Sequence, residues 1–155
     1  IPERDGAKPI LLTGNAKNVV GSLNAIIDSI PIGETCAIGV CTNKEKDTLV
    51  NALGTRFLAT DKGKTTQSDQ NGRKVIHVRT LQKMKGLQFD NVILWDMTEG
   101  RFPSPWDAEK DLSKLRKLLY VAMTRACKML VICAFGKPSP LVSEIAPTLL
   151  EVRNV

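Results

Sequence analysis

Residues 89–96 read Phe-Asp-Asn-Val-Ile-Leu-Trp-Asp. From Val92 to Trp95 the run is unbroken apolar sequence, and a strand with no polar alternate has no face left for water. Similar runs occur at 10–12 (Ile-Leu-Leu), 35–41 (Thr-Cys-Ala-Ile-Gly-Val-Cys) and 129–134 (Met-Leu-Val-Ile-Cys-Ala). Between them lie segments of helical period. Val19, Val20, Leu23, Ile26, Ile27 and Ile30 form a stripe stopped by Pro31, and Thr42 or Asn43 can cap a helix that runs through Leu53. Leu112 to Arg125 reads as a third helix, and a short one is expected after Pro140. Lys74–Thr80 reads as an alternating strand, and Arg56–Thr60 as a short one. Buried strands that alternate with amphipathic helices predict an α/β fold of three layers, a parallel sheet with helices on both faces.

Two segments break this rhythm. Residues 61–73 (DKGKTTQSDQNGR) hold no large apolar side chain and are expected to be an exposed loop. Residues 100–107 contain two prolines and read as loop.

The chain has 155 residues, enough for one domain with a sizeable core, and its 43% apolar and 25% charged content is that of a globular protein. A formal charge of +6 favours a polyanionic partner. Cys36, Cys41, Cys127 and Cys133 lack metal-ligand spacing and share the chain with a single histidine, His77. Neither a zinc site nor disulfides are expected, and the setting expected is reducing, cytoplasmic or nuclear. Because no apolar stretch approaches a membrane span, no membrane partner is expected. The first residue is not Met, so an excised domain or processed product is expected.

Chemistry concentrates in two blocks. Neither is a G-x-x-x-x-G-K-[ST] phosphate loop or a G-x-G-x-x-G fingerprint, and the chain contains neither motif. The first block, Thr80–Leu94 (TLQKMKGLQFDNVIL), leaves one strand and enters another across a Lys-Gly turn. Gly86 allows close backbone approach, and Lys83 and Lys85 bring positive charge. A basic connecting loop would look the same. The second block, Leu115–Val131 (LRKLLYVAMTRACKMLV), puts Arg116, Tyr120 and Thr124 on one helix face and Arg125 at the helix end. From there a guanidinium can reach a partner's phosphate, or it can bond a carboxylate or the last carbonyls of its own helix.

Read in order, T-L-x-x-x-K-G-L-x-F-D-x-V, E-G-x-F-P-S and L-L-Y-V-A-x-T-R-A resemble the C-terminal half of UvrD/Rep-type superfamily 1 DNA helicases. Thr80–Asp90 is similar to their motif V, Glu99–Ser104 to the loop after it, and Leu119–Ala126 to motif VI. The detailed match spans about residues 78 to 132, and residues 35–53 resemble the preceding strand–helix unit. The resemblance implies a single RecA-like (P-loop NTPase-type) domain over 1–155 without a phosphate loop of its own, the polar segment 61–73 standing where larger relatives carry an insertion subdomain. It further implies an ATP-dependent motor. ATP and Mg2+ would be held mainly by an N-terminal RecA-like domain of the same parent chain, with single-stranded DNA as partner. Arg125 matches the arginine that stabilises transition-state charge. Lys85, Gly86, Gln88, Tyr120 and Thr124 match positions near the nucleotide, and Thr80, Gln82 and Lys83 positions near the DNA.

Two residues depart from the pattern: Gln82 stands where the family usually has histidine, and Gln88 where it has glutamate, so a charge-assisted bond is lost. They keep a second reading open, a degenerate helicase-like module that only binds nucleic acid or a protein partner. A third, a stand-alone nuclease or other hydrolase using Asp90, Asp96 and Glu99 as a metal cluster, finds little support, because Asp90 matches a family position on a packed strand and no repeated acidic motif joins it. Without a phosphate loop the isolated chain is expected not to hydrolyse ATP, and to bind single strands weakly and salt-sensitively.

Overall fold

A computed structural model describes residues 8–53, 58–60, 74–105 and 111–155, with the backbone alone at 52, 53 and 58–60. In chain order the strands are β1 (Ile10–Gly14), β2 (Cys36–Val40), β3 (Leu58–Thr60), β4 (Val75–Thr80), β5 (Phe89–Leu94), β6 (Ala126–Phe135) and β7 (Glu151–Asn154). The helices are α1 (Ala16–Ser29), α2 (Asn43–Leu53), α3 (Ser113–Met123) and the single-turn α4 (Pro140–Ser143), with 3-10 turns at Leu81–Met84 and Pro147–Leu149. The strands form one seven-stranded sheet in the order β3-β4-β2-β5-β6-β1-β7, and every pairing is parallel. This is the three-layer α/β fold that the apolar runs predict.

Alternation within each strand sorts the core onto two faces. Ile38, Val78, Ile93 and Val131 pack with Val19, Leu23 and Ile27 of α1 and Leu49 of α2. Val92, Leu94, Leu130 and Ile132 pack instead with Leu81, Met84, Leu119, Ala122 and Leu141. The handedness of parallel crossovers demands this division. The chain steps one way along the sheet from β1 to β2 to β3, and back the other way through β4, β5, β6 and β7.

Local chemistry sets the helix ends. The Asn15 side chain accepts from the Asn18 amide at 2.9 Å and starts α1. At the other end Lys74 Nζ donates to the carbonyls of Ile27 at 2.7 Å and Ile30 at 2.6 Å, satisfying acceptors that the helix leaves open. The Thr42 hydroxyl accepts from the Glu45 amide at 3.1 Å in the first turn of α2.

Several elements differ from the sequence reading. β4 was expected to alternate, yet all six residues are buried, His77 and Arg79 included, because both faces of the strand are covered, Ile76 and Val78 packing with the α1 and α2 residues and His77 against Phe89. β6 reaches back to Ala126 and forward to Phe135, with an irregularity opposite Phe89–Asn91 that leaves Cys127 and Lys128 exposed. β7 carries no apolar pattern and is exposed throughout; only its pairing with β1 makes it a strand. The expected loop 61–73 lies outside the described residues, as does the start of the expected strand at 56–60. Among the described residues no helix is long and apolar enough to cross a membrane.

One connection is unusually short. β4 and β5 are parallel and separated by β2, yet only residues 81–88 join them. The 3-10 turn lies directly on β2, where Gly39 has no side chain. A Cβ there would sit 2.8 Å from Met84 Sδ, 2.9 Å from Leu81 Cδ2 and 3.1 Å from Leu94 Cδ2. Gly39→Ala is therefore expected to cost about 1–3 kcal/mol by overpacking a filled site. Gly21, exposed on α1 with nothing within 4 Å of its Cβ position, supplies the contrast. Gly21→Ala is expected to gain about 0.5–1 kcal/mol from helix propensity. Urea unfolding of the two variants against the native chain checks both signs.

Candidate functional site

Strands of a parallel sheet end on one edge and begin on the other, and the candidate residues divide between those edges. Thr80 is the last residue of β4, buried and level with Val40 of β2. Gln82 and Lys83 follow it, exposed on the 3-10 turn. The C-terminal ends of β4, β2 and β5 are adjacent, so Thr80–Lys83, Cys41–Glu45 and Asp96–Arg101 share one rim. Connections from β2 and β5 leave toward opposite faces, the arrangement that opens a ligand crevice in α/β sheets.

The opposite edge gathers the second set. The Phe89 amide donates to the Arg125 carbonyl at 3.0 Å, which brings Gln88 beside the end of α3. Lys85 and Gly86 precede it in the turn entering β5, where Gly86 takes φ +77°. Tyr120 is half exposed on the outer face of α3, one turn before Thr124. Arg125 is half-buried; its Nε donates to the Val121 carbonyl at 3.2 Å and its Nη2 to Thr124 Oγ1 at 3.3 Å. The guanidinium engages a carbonyl of its own helix, and no carboxylate bonds it among the described residues. The structure thus joins Gln88, Thr124 and Arg125 on one edge and keeps Thr80, Gln82 and Lys83 on the other.

Asp90 and Asp96 sit at opposite ends of β5 and do not converge. Asp90 Oδ2 accepts from the Thr35 amide at 2.9 Å, tying β5 to the start of β2. Among the described residues no group of three or more His, Cys, Asp or Glu side chains could hold a metal ion. Burial pushes the Cys36 and Cys133 thiols up to about 12, and at Cys41 burial is joined by Glu45 and Asp96 to the same effect. All four cysteines are free thiols. The turn after β1, where phosphate loops commonly sit, is closed by the chain itself. Asn15 caps α1, and the Val155 carbonyl lies against Gly14 where a Cβ would go.

One cluster is absent from the sequence reading. Asp96 is buried in a left-handed conformation, φ 56°, and its Oδ1 accepts from Thr98 Oγ1 at 2.6 Å. Thr98 Oγ1 in turn accepts from the Phe135 amide at 2.8 Å. Arg101 bridges Asp96 (Nε to Oδ2, 3.2 Å) and Glu45 (Nη2 to Oε1, 3.4 Å). Glu45 Oε2 is buried without a hydrogen-bond partner. Sequence reasoning had no signal for the cluster, because Glu45 and Arg101 are 56 positions apart.

The model of the UvrD-like helicase C-terminal domain family matches residues 22–137, three quarters of the chain. The chain belongs to that family. It is 35% identical over 118 residues to the ATP-dependent DNA helicase PcrA of Leuconostoc citreum, which covers 68% of this chain and 15% of that protein. With PcrA of Bacillus subtilis (strain 168) it shares 32% over 125 residues, 71% of this chain and 17% of the relative. The chain therefore spans less than a fifth of the length of these relatives. A solved structure, the C-terminal domain of a possible DNA helicase from Lactobacillus plantarum WCFS1, superposes with a TM-score of 0.67 at 27% identity. The overlap covers 95% of this chain and 86% of that one. Residues that carried the resemblance, from Thr80 to Ala126, fall inside the family match.

Burial holds the Glu45 carboxyl above its ordinary 4.5, helped by Asp96; the Cys41 backbone and Arg101 pull the other way without winning. A carboxyl whose folded titration is raised helps folding below the ordinary value and loses that help as pH rises through the folded one. Glu45→Gln removes the ionisation. It is therefore expected to raise stability at pH 7 by a few tenths to about 1 kcal/mol, solvent screening keeping the gain small. The gain should shrink toward zero as pH falls to about 4.5. Thermal melts of both proteins across that range measure it.

Proposed function

We propose that this UvrD-like domain is the second motor half of an ATP-dependent DNA helicase or translocase. The observation that carries the reading is the placement of Arg125 at the end of α3, on the same edge as Gln88 and Thr124. That edge is read as the face toward a first motor domain that holds ATP and Mg2+. Thr80, Gln82 and Lys83, on the opposite rim, are read as part of the track for single-stranded DNA. The PcrA relatives, which are ATP-dependent DNA helicases, support the activity.

Chemically, Arg125 is suited to the task because its charge is permanent and its fork is planar. Its present bonds go to one carbonyl and one hydroxyl of its own helix end. Neither is a charge partner, so the guanidinium can exchange them for phosphate oxygens at modest cost. A cation aimed at charge that develops during phosphoryl transfer lowers the barrier more than it strengthens ground-state binding. Thr124 steadies the same guanidinium through its hydroxyl. Lys85, Gly86, Gln88 and Tyr120 are the further residues assigned to the nucleotide-facing edge, Gln88 with a neutral amide that can still bond a hydroxyl. The crossover 81–88 ties the two rims together, so a shift at one is felt at the other.

ATP hydrolysis by the full-length parent chain, with and without single-stranded DNA, tests the reading. Turnover should be DNA-stimulated, and Arg125→Ala should lower it by about 10³–10⁵ with little change in melting temperature. Absence of turnover in the native protein would favour the degenerate binding module. Stimulated turnover that survives Arg125→Ala would keep the motor and remove Arg125 from its chemistry.

A further inference from the structure

Arg101 stands on the same rim as Thr80 and Lys83, at the crevice between the ends of β2 and β5. Three observations describe how it is held. Its seat is rigid: Asp96 is 6% exposed, fixed by a left-handed backbone and by Thr98, itself bonded to the Phe135 amide. Its second partner is weak, since Glu45 reaches Nη2 only at 3.4 Å and leaves its other oxygen buried without a partner. The arginine is nevertheless open to solvent, with 58% of its side chain exposed. Both carboxylates lie along the Nε–Nη2 edge, so neither occupies the Nη1 side of the fork.

We propose that Arg101 is a phosphodiester contact on the single-strand track, seated by Asp96 and restrained by Glu45, which competes with the strand for the same guanidinium. The inference rests on reading this rim as the track. The chemistry follows from the two arms. Asp96 cannot leave, because its backbone and Thr98 fix it, and it pre-orients the fork at no further entropic cost on binding. Glu45 is an incompletely bonded anion, and a phosphate approaching from the crevice replaces it with shorter, charge-assisted bonds. The strand thus meets an arginine that is positioned but whose charge is partly masked.

The test is fluorescence-anisotropy titration of the chain with a labelled oligothymidine at several salt concentrations. Arg101→Gln is expected to weaken binding roughly three- to tenfold and to reduce the salt slope by about 0.7, the value for one lost phosphate contact on a single strand. Glu45→Gln is expected to tighten binding by a similar factor, because the competing charge is gone while the side chain keeps its shape. In the double variant that gain should vanish, leaving the affinity of Arg101→Gln alone. Arg101→Lys should restore the salt slope but only part of the affinity, since a point charge replaces the fork. Thermal melts confirm that each variant is folded; Arg101 is exposed enough for substitution not to unfold the chain.

Two outcomes overturn the proposal alone: unchanged binding in Arg101→Gln, or a Glu45→Gln gain that persists without Arg101. Displacement of the strand by millimolar inorganic phosphate at matched ionic strength would mark a free-anion site and overturn the strand assignment. Failure of the native chain to bind oligothymidine at all would overturn the track reading and this inference with it.

Discussion

Everything on the α3 face depends on eight residues crossing β2. A parallel crossover generally requires a dozen residues or more, usually with a helix, to return the chain to the same end of the sheet. Here residues 81–88 suffice because Gly39 lets the 3-10 turn lie on the backbone of β2 itself. Leu81 and Met84, both fully buried, fill the space that a side chain at 39 would take. With so little slack, the start of β5 cannot move far without moving the end of β4. In the proposed motor this is a mechanical property, since the rim read as the strand track and the edge carrying Arg125 are the two ends of one taut segment. Long-range coupling through a packed element needs two discrete arrangements of it.

Much of this architecture is legible in the sequence, for a definite reason. Runs such as Val92–Trp95 and Leu130–Ala134 have no polar alternate, and only a strand covered on both faces tolerates that. Period and breakers place α1 between Asn15 and Pro31, because the cap and the stop are both local chemistry. The misses are all tertiary. β7 is Glu-Val-Arg-Asn, exposed along its length, and becomes a strand only because β1 offers an open edge. His77 looks like the polar member of an alternating strand, yet it is buried against Phe89, ring centroids 5.6 Å apart, because that face of β4 is covered as well.

The site was legible to a different depth. Linear motifs name Thr80, Lys85 and Arg125, since those residues lie within a few positions of each other in each block. They do not say that the blocks serve opposite edges of the sheet. That follows from topology: Thr80 closes a strand, whereas Gln88 and Arg125 each open one. Nor can any linear motif assemble Glu45, Asp96 and Arg101. They meet because β2 and β5 are neighbours in space; in the sequence Glu45 is an isolated charge, and Asp96 groups with Asp90 and Glu99 rather than with Arg101.

The two departures from the family pattern gain meaning from the same geometry. Gln82 and Gln88 are both exposed, one near each end of the crossover. Between them Leu81 and Met84 are buried over the glycine beneath. A module that only bound nucleic acid would need the same buried interior to fold, so the two readings differ at the exposed ends and not in the packing. An amide donates and accepts at once, and its hydrogen bonds do not depend on pH. A histidine or a glutamate in the same places would bind more strongly in one charge state and more weakly in the other. On the proposed reading the two amides would alter how firmly each rim grips its ligand, and neither takes part in the packing that links the rims. Within the proposed helicase reading they would tune affinity, and the crossover is the segment through which the two rims would be coupled.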